Sequence, residues 1–162
     1  MRFAALGAIL LTASASAGPA PQTFDMVAFF TGRTHADNTI KVGLGRSHKL
    51  IVDSLGGHNK EGEFILIDQV HEEGKPDRKR TWAMKQVGPN HFSGSLSDAV
   101  GPVDVVVNGT RATIRYTMRD GGVKIVQQLQ LQPDGRTLTN HVDARKFGLK
   151  FGNVDGIVRK LD

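Results

Sequence analysis

The turns constrain this chain more than anything else in it. Gly56-Gly57, Glu73-Gly74, Gly88-Pro89-Asn90, Asn108-Gly109, Asp120-Gly121-Gly122 and Asp134-Gly135 punctuate the sequence. Each is hairpin or turn chemistry, because Gly, and less readily Asn and Asp, tolerates positive φ. From Thr39 onward, between these joints, the hydrophobic period is two. HKLIVDSL, EFILIDQVHE, RTWAMKQV, HFSGSLSDAV, VDVVVNG, TRATIRYTM, VKIVQQLQLQ, TLTNHVDARKF and VDGIVRKL follow in order. No helix-length periodic window survives between them, which argues against βαβ units and a parallel sheet. Nine or ten strands in succession, joined to their neighbours, predict an all-β, antiparallel up-and-down barrel, since closure removes the exposed edges. A sandwich is the alternative.

Length is consistent with one domain: 162 residues can bury a single sizeable core. MRFAALGAILLTASASA reads as a cleavable secretory signal, residues 1–17. It has Arg2, an apolar run from Phe3 to Leu11, and the small-residue site Ala15-Ser16-Ala17. That run is shorter than the roughly 20 residues needed to span a bilayer. A linker over 18–23 leads to a single β-barrel domain over 24–162, and the expected location is periplasmic. In FDMVAFFTG, Phe24, Val27, Ala28 and Phe29 or Phe30 predict the apolar side of a short N-terminal helix that begins near Asp25.

With no cysteine in the chain, disulfides, thiolate metal sites and a lipoprotein anchor are excluded. The net charge of +5 is spread thinly, and only Arg78-Lys79-Arg80 forms an uninterrupted basic run. One Trp and one Tyr offer few stacking platforms, so nucleic acid is not an expected partner. A mildly basic surface is compatible with peripheral contact to anionic headgroups.

Strand parity nominates an interior. RTWAMK points Arg80, Trp82 and Met84 inward, and TRATIRYTM points Ala112, Ile114, Tyr116 and Met118 inward against Arg111, Arg115 and Arg119. KIVQQLQLQ carries Gln127 in with its leucines, and TLTNHVDAR carries Asn140. If 91–98 is one strand, Phe92, Gly94 and Leu96 take Asp98 inward and leave Ser93, Ser95 and Ser97 outside. The candidate ligand-binding residues are therefore Arg80, Trp82, Asp98, Tyr116 and Asn140. A few polar groups in an apolar cavity describe a small-molecule site. They also describe a hydrogen-bonded core in which Arg80 pairs with Asp98.

Other signals are weaker. GLGRS at 43–47 shares only its glycines with a phosphate loop and reads as a turn. The six histidines, at 35, 48, 58, 71, 91 and 141, match no metal-ligand spacing, and His71 beside Glu72 and Glu73 is the only cluster among them. Asn108-Gly109-Thr110 reads as a hairpin turn before a glycosylation site. No cofactor loop and no serine-nucleophile turn is present, so no cofactor is expected.

Several landmarks recur together: FFTGRT at 29–34, RTW at 80–82, GSLSDAVGPV with Asp98 and Gly101, Gly109 through Tyr116, DGRTLTN at 134–140 and KFG at 146–148. In order and spacing the chain resembles an uncharacterised bacterial envelope family, the domain of unknown function 3833 family, from about Phe29 to Arg159. The resemblance implies a calycin-like barrel, similar in outline to lipocalins, exported and often tethered as a lipoprotein. Two departures stand out: no cysteine is available for tethering, and Ile114 replaces an aromatic two places ahead of Tyr116.

Three functions remain open at this point. The first is a non-enzymatic barrel that binds a small lipophilic or amphipathic molecule, with Arg80 meeting its acidic group and Asp98 and Asn140 orienting the guanidinium. The second is an enzyme acting on an envelope lipid or isoprenoid, with Asp98 as general acid or base. The third is a structural or assembly factor working through the outer surface and the helix at 24–30.

Overall fold

A computed structural model of the protein describes residues 22–162; the signal sequence expected at 1–17 lies outside them. A five-residue helix, α1 (Met26–Phe30), precedes ten strands: β1 (Gly32–Val42), β2 (His48–His58), β3 (Phe64–Glu72), β4 (Arg78–Gly88), β5 (His91–Leu96), β6 (Ala99–Asn108), β7 (Arg111–Met118), β8 (Lys124–Leu131), β9 (Thr137–Lys146) and β10 (Leu149–Lys160). Every strand pairs antiparallel with its sequence neighbours. β10 returns to pair with β1 through Thr34↔Lys160 to Val42↔Gly152, which closes the barrel. No edge of the sheet is left to recruit another chain.

Closure turns parity into position. On β3 the interior face is Phe64, Leu66, Asp68, Val70 and Glu72, and on β7 Ala112 and Ile114 are buried while Arg111 and Arg115 are exposed. Apart from Asp68 and Glu72, the inward residues of these strands are apolar and the charged ones face out, the reverse of a barrel that spans lipid.

Three sequence expectations are corrected. Gly56-Gly57, read as a turn, lies inside β2, and the chain reverses over 59–63 instead, where the Asn59 N–H donates to the Glu63 carbonyl (3.0 Å). Gly56 serves a close approach, since a Cβ there would strike the Phe30 carbonyl of α1. The segment 91–100 is not one strand but two, broken at Ser97-Asp98. No glycine or proline marks this joint; it is held instead by the Ser97 N–H on the Thr81 carbonyl (2.9 Å), the Thr81 N–H on Ser97 Oγ (3.0 Å) and the Arg119 N–H on the Asp98 carbonyl (2.8 Å). β1, for its part, starts at Gly32 rather than near Thr39. Its inward residues Thr34, Ala36 and Asn38 are buried but small or polar, so they carry little hydrophobic alternation.

The two ends of the barrel differ. α1 plugs one of them. Asp25 Oδ1 accepts the Ala28 N–H (2.9 Å) as N-cap, and Lys160 Nζ donates to the Phe29 carbonyl (3.0 Å) at the other terminus. Phe24, Met26 and Phe29 are buried in one cluster with Phe64 and Met84, and Phe24 meets Phe29 edge-on with centroids 5.8 Å apart. Val27 is only half-buried and Ala28 is exposed, so the expected apolar side shifts toward Phe24 and Met26. The turns after β1, β3, β5, β7 and β9 form the opposite end, which has no plug among the described residues.

Gly94 on β5 marks the tightest approach in the wall, because a Cβ there would collide with the Ala83 carbonyl on β4. Gly94→Ala is expected to lower stability by about 1–3 kcal/mol, the usual cost of overpacking a filled site, as measured by urea unfolding.

Candidate ligand-binding cavity

A cavity of about 330 Å³ runs inside the barrel between α1 and the open end, near the lower limit of the ~300–1,000 Å³ typical of ligand pockets. Most of its wall is apolar, with Leu66, Val105, Ile114, Ile125 and Leu129 prominent. Arg80, Trp82, Tyr116 and Asn140, four of the five residues nominated from sequence, line it.

The fifth does not. Asp98 sits in the β5–β6 turn at the open end, with its carboxylate 3.7 Å from Arg78 Nε and away from the cavity lining. The strand expected to carry it inward ends at Leu96. Arg80 pairs instead with Asp68, a residue that sequence reasoning passed over. The signal was available: Asp68 shares the parity of Phe64, Leu66 and Val70, and so had to point inward with them.

Asp68 is the hub of one island of polar groups. Ser54, Asp68 and Arg80 stand directly opposite one another across β2, β3 and β4, so one rung of the sheet brings them together. Arg80 Nε donates to Asp68 Oδ2 (2.6 Å), Trp82 Nε1 donates to the same oxygen (2.8 Å), and Ser54 Oγ donates to Oδ1 (2.7 Å). With only 2% of Asp68 exposed, these donors replace its water. Burial opposes the charge on Arg80, but the Asp68 carboxylate, with Tyr116 and Asp98 adding to it, outweighs burial and holds the guanidinium above its ordinary value.

Only Nε of Arg80 is bonded to a described residue, which leaves its terminal nitrogens free on the cavity side. The guanidinium lies 5.3 Å from the Trp82 ring centroid, and Trp82 meets Tyr116 edge-on at 5.6 Å. Burial pushes the Tyr116 hydroxyl above its usual value, which keeps it protonated and able to donate. It has no hydrogen-bond partner among the described residues.

The second island is a chain of amides. Gln127 Nε2 donates to Asn140 Oδ1 (2.8 Å), Asn140 Nδ2 to Asn38 Oδ1 (2.8 Å), and Asn38 Nδ2 to the Leu50 carbonyl (3.2 Å). Asn38 and Asn140 flank Gly156 in register. A side chain at Gly156 would strike Asn38 Oδ1, so this glycine leaves the gap that the bond crosses. Asn140 therefore belongs to the amide chain and does not orient Arg80.

At the open end, buried Glu72 ties three segments together. Its carboxylate takes Lys75 Nζ (2.6 Å), His48 Nε2 (2.9 Å) and Arg78 Nη1 (3.2 Å). Burial alone would raise its pKa, but donors from Lys75, His48 and Arg78 outweigh that and hold it at about 2, against an ordinary 4.5. No histidine lines the cavity, and among the described residues no His, Asp and Glu cluster is arranged to hold a metal ion.

Removing one member of the buried pair strands the other. Arg80→Met is expected to cost about 3 kcal/mol in chemical denaturation, and adding Asp68→Asn should restore a large part of it by eliminating the unpaired carboxylate. For Glu72 the folded pKa lies below the unfolded one. Its contribution is therefore complete above pH 4.5 and lost as the pH falls toward 2. About 3 kcal/mol is the ceiling for that acid limb, and Glu72→Gln should flatten it in a series of melting temperatures against pH.

A search of curated proteins finds no match to this chain. The family model described as "Protein of unknown function (DUF3833)" matches residues 8–160, a span that takes in α1, all ten strands of the barrel and every residue of both polar islands. The chain belongs to this DUF3833 family.

Proposed function

We propose that the protein is a non-enzymatic carrier that holds one small amphipathic molecule, of the fatty-acyl kind, in the bacterial cell envelope. One observation carries this reading: the spare donors of Arg80 and the unpartnered Tyr116 hydroxyl face a mostly apolar cavity that is plugged at one end and open at the other. A carboxylate or phosphate on the ligand would take paired donors from the guanidinium, which has a planar fork suited to them. The hydrocarbon would lie along Ile114, Ile125 and Leu129, and Trp82 would pack beside the headgroup. Asp68, rather than Asp98, is the residue that orients the guanidinium.

Export rests on the apolar run at 3–11 and the small residues before Gly18, and a periplasmic location follows from it in this reading. The enzymatic alternative drew on Asp98 as general acid or base. That carboxylate lies in the rim turn beside Arg78 and is not among the residues lining the cavity.

The chain's single Trp reports on the site directly. Titration with dodecanoate is expected to change Trp82 emission saturably, and dodecanol should bind at least tenfold more weakly because it cannot engage the guanidinium. Tyr116→Phe removes a hydroxyl that bonds nothing else, so it should leave the melting temperature unchanged while weakening dodecanoate about tenfold, the worth of one hydrogen bond to a charged group. A barrel that emerges empty from its own host in native mass spectrometry, and that gives no Trp82 response to acyl anions, would overturn the proposal.

A further inference from the structure

The apolar surface that folding leaves uncovered is concentrated at the open end. Among the described residues, Leu44, Phe147 and Leu149 are the most exposed large hydrophobics: Leu44 fully, Phe147 at 92% and Leu149 at 74%. They occupy two hairpin tips, β1–β2 and β9–β10. The tips are neighbours, because β1 and β10 are paired up to Val42↔Gly152 and the Gly43 N–H donates to the Phe151 carbonyl (2.6 Å). Val42 and Phe151, both partly exposed, join the two tips into one apolar lip beside the cavity mouth.

Phe147 is anomalous on backbone grounds as well. It has φ of 51°, followed by Gly148 at 78°, in the two-residue turn that closes β9 onto β10. Asn-Gly is the pair that fits such a turn without strain. The chain instead holds an aromatic ring there, almost fully in water, against both its backbone preference and its solvation. Among the described residues, its one ring contact is with the Lys146 ammonium, which leaves the apolar face in water.

Cations surround the lip. Lys124, Arg145 and Lys150 face one another across β8, β9 and β10, where like charges repel. Lys146 Nζ lies 5.6 Å from the Phe147 ring centroid, and Lys41 and Arg46 flank Leu44. Lys150 has Asp143 at 2.5 Å, but Lys41, Arg46, Arg145 and Lys146 form no ion pair with a described residue. Exposed aromatic and aliphatic groups ringed by unneutralised Lys and Arg are the complement of an anionic bilayer: apolar tips enter the acyl boundary while the cations meet headgroup phosphates.

We propose that the β1–β2 and β9–β10 tips form a docking lip that seats the protein on an anionic lipid surface, with the cavity mouth turned toward the bilayer. The inference stands on the outer surface alone and does not require the cavity to be occupied.

Flotation with phosphatidylglycerol vesicles, against phosphatidylcholine vesicles, tests it. The full chain and a form starting at Gly18 are both assayed, so that the apolar run at 3–11 is controlled for. Both should float with the anionic vesicles, at least tenfold more than with the zwitterionic ones, and raised salt should release them. Phe147→Asn should reduce partition about tenfold while leaving the melting temperature equal or higher, because it relieves the turn. Lys146→Glu with Arg145→Glu should abolish the preference for anionic lipid. The proposal is overturned if the Gly18 form stays off anionic vesicles or if Phe147→Asn binds as well as the parent. It is equally overturned if the lip instead drives a concentration-dependent dimer that Phe147→Asn dissolves.

Discussion

Closing ten strands on themselves assigns every side chain of the wall to the interior or to water, and it does so in steps of two residues. An interior position in such a barrel cannot be traded for an exposed one by a local shift, because a one-residue slip would turn the whole strand inside out. A charged residue with inward parity must therefore find a partner inside. Asp68 is in this position, with apolar Leu66 and Val70 fixing the register on either side. Its three donors come from residues beside it in the sheet: Ser54 and Arg80 on the same rung, and Trp82 one step along β4. The polar island is thus a consequence of register, and the same register leaves the far edge of Arg80 turned to the cavity.

Strand number then decides whether that cavity exists. About eight strands give an interior just wide enough for side chains to fill or to hold one small ligand, and two more widen it. Side chains such as Ile114 and Leu129 pack against their neighbours on the wall and leave about 330 Å³ between opposite sides. The amide chain from Gln127 to Asn38 follows the wall rather than crossing the interior, with Gly156 giving it room to pass. The amides bond one another along the circumference, so the centre remains free.

The fold was legible in the sequence wherever alternation was strong. TRATIRYTM and EFILIDQVHE name their inner faces without help, and Gly-containing turns locate most hairpins. β1 was read short because Thr34, Ala36 and Asn38 are inward without being hydrophobic, so the pattern that identifies a half-buried strand is missing. The break at Ser97-Asp98 was invisible because side-chain and backbone hydrogen bonds hold that turn, not a glycine. That one missed turn carried an error into the site: strict parity through it sent Asp98 inward and offered Arg80 the wrong carboxylate. Asp68 was readable by the same parity rule applied to its own strand, where it falls in step with Phe64, Leu66 and Val70. The amide chain was only half visible, since Gln127 and Asn140 share parity with leucines while their partner Asn38 lay in the strand that was read short.

The asymmetry between the two ends gives these parts a common logic. At one end Phe24, Met26 and Phe29 bury apolar surface over Phe64 and Met84, and a plug of that kind is stabilising only if it stays closed. At the other end, among the described residues, no apolar plug like α1 covers the rim. The segments there are tied together by Glu72 through Lys75, His48 and Arg78, a clamp that fixes the strand ends around the mouth without filling it. Holding the rim by ions lets the mouth stay open while the wall remains rigid, because the ties run around the circumference. The hairpin tips beyond the clamp bear none of the barrel's packing. That freedom allows an exposed phenylalanine in a strained turn to persist there, at a place where its loss would leave the fold intact.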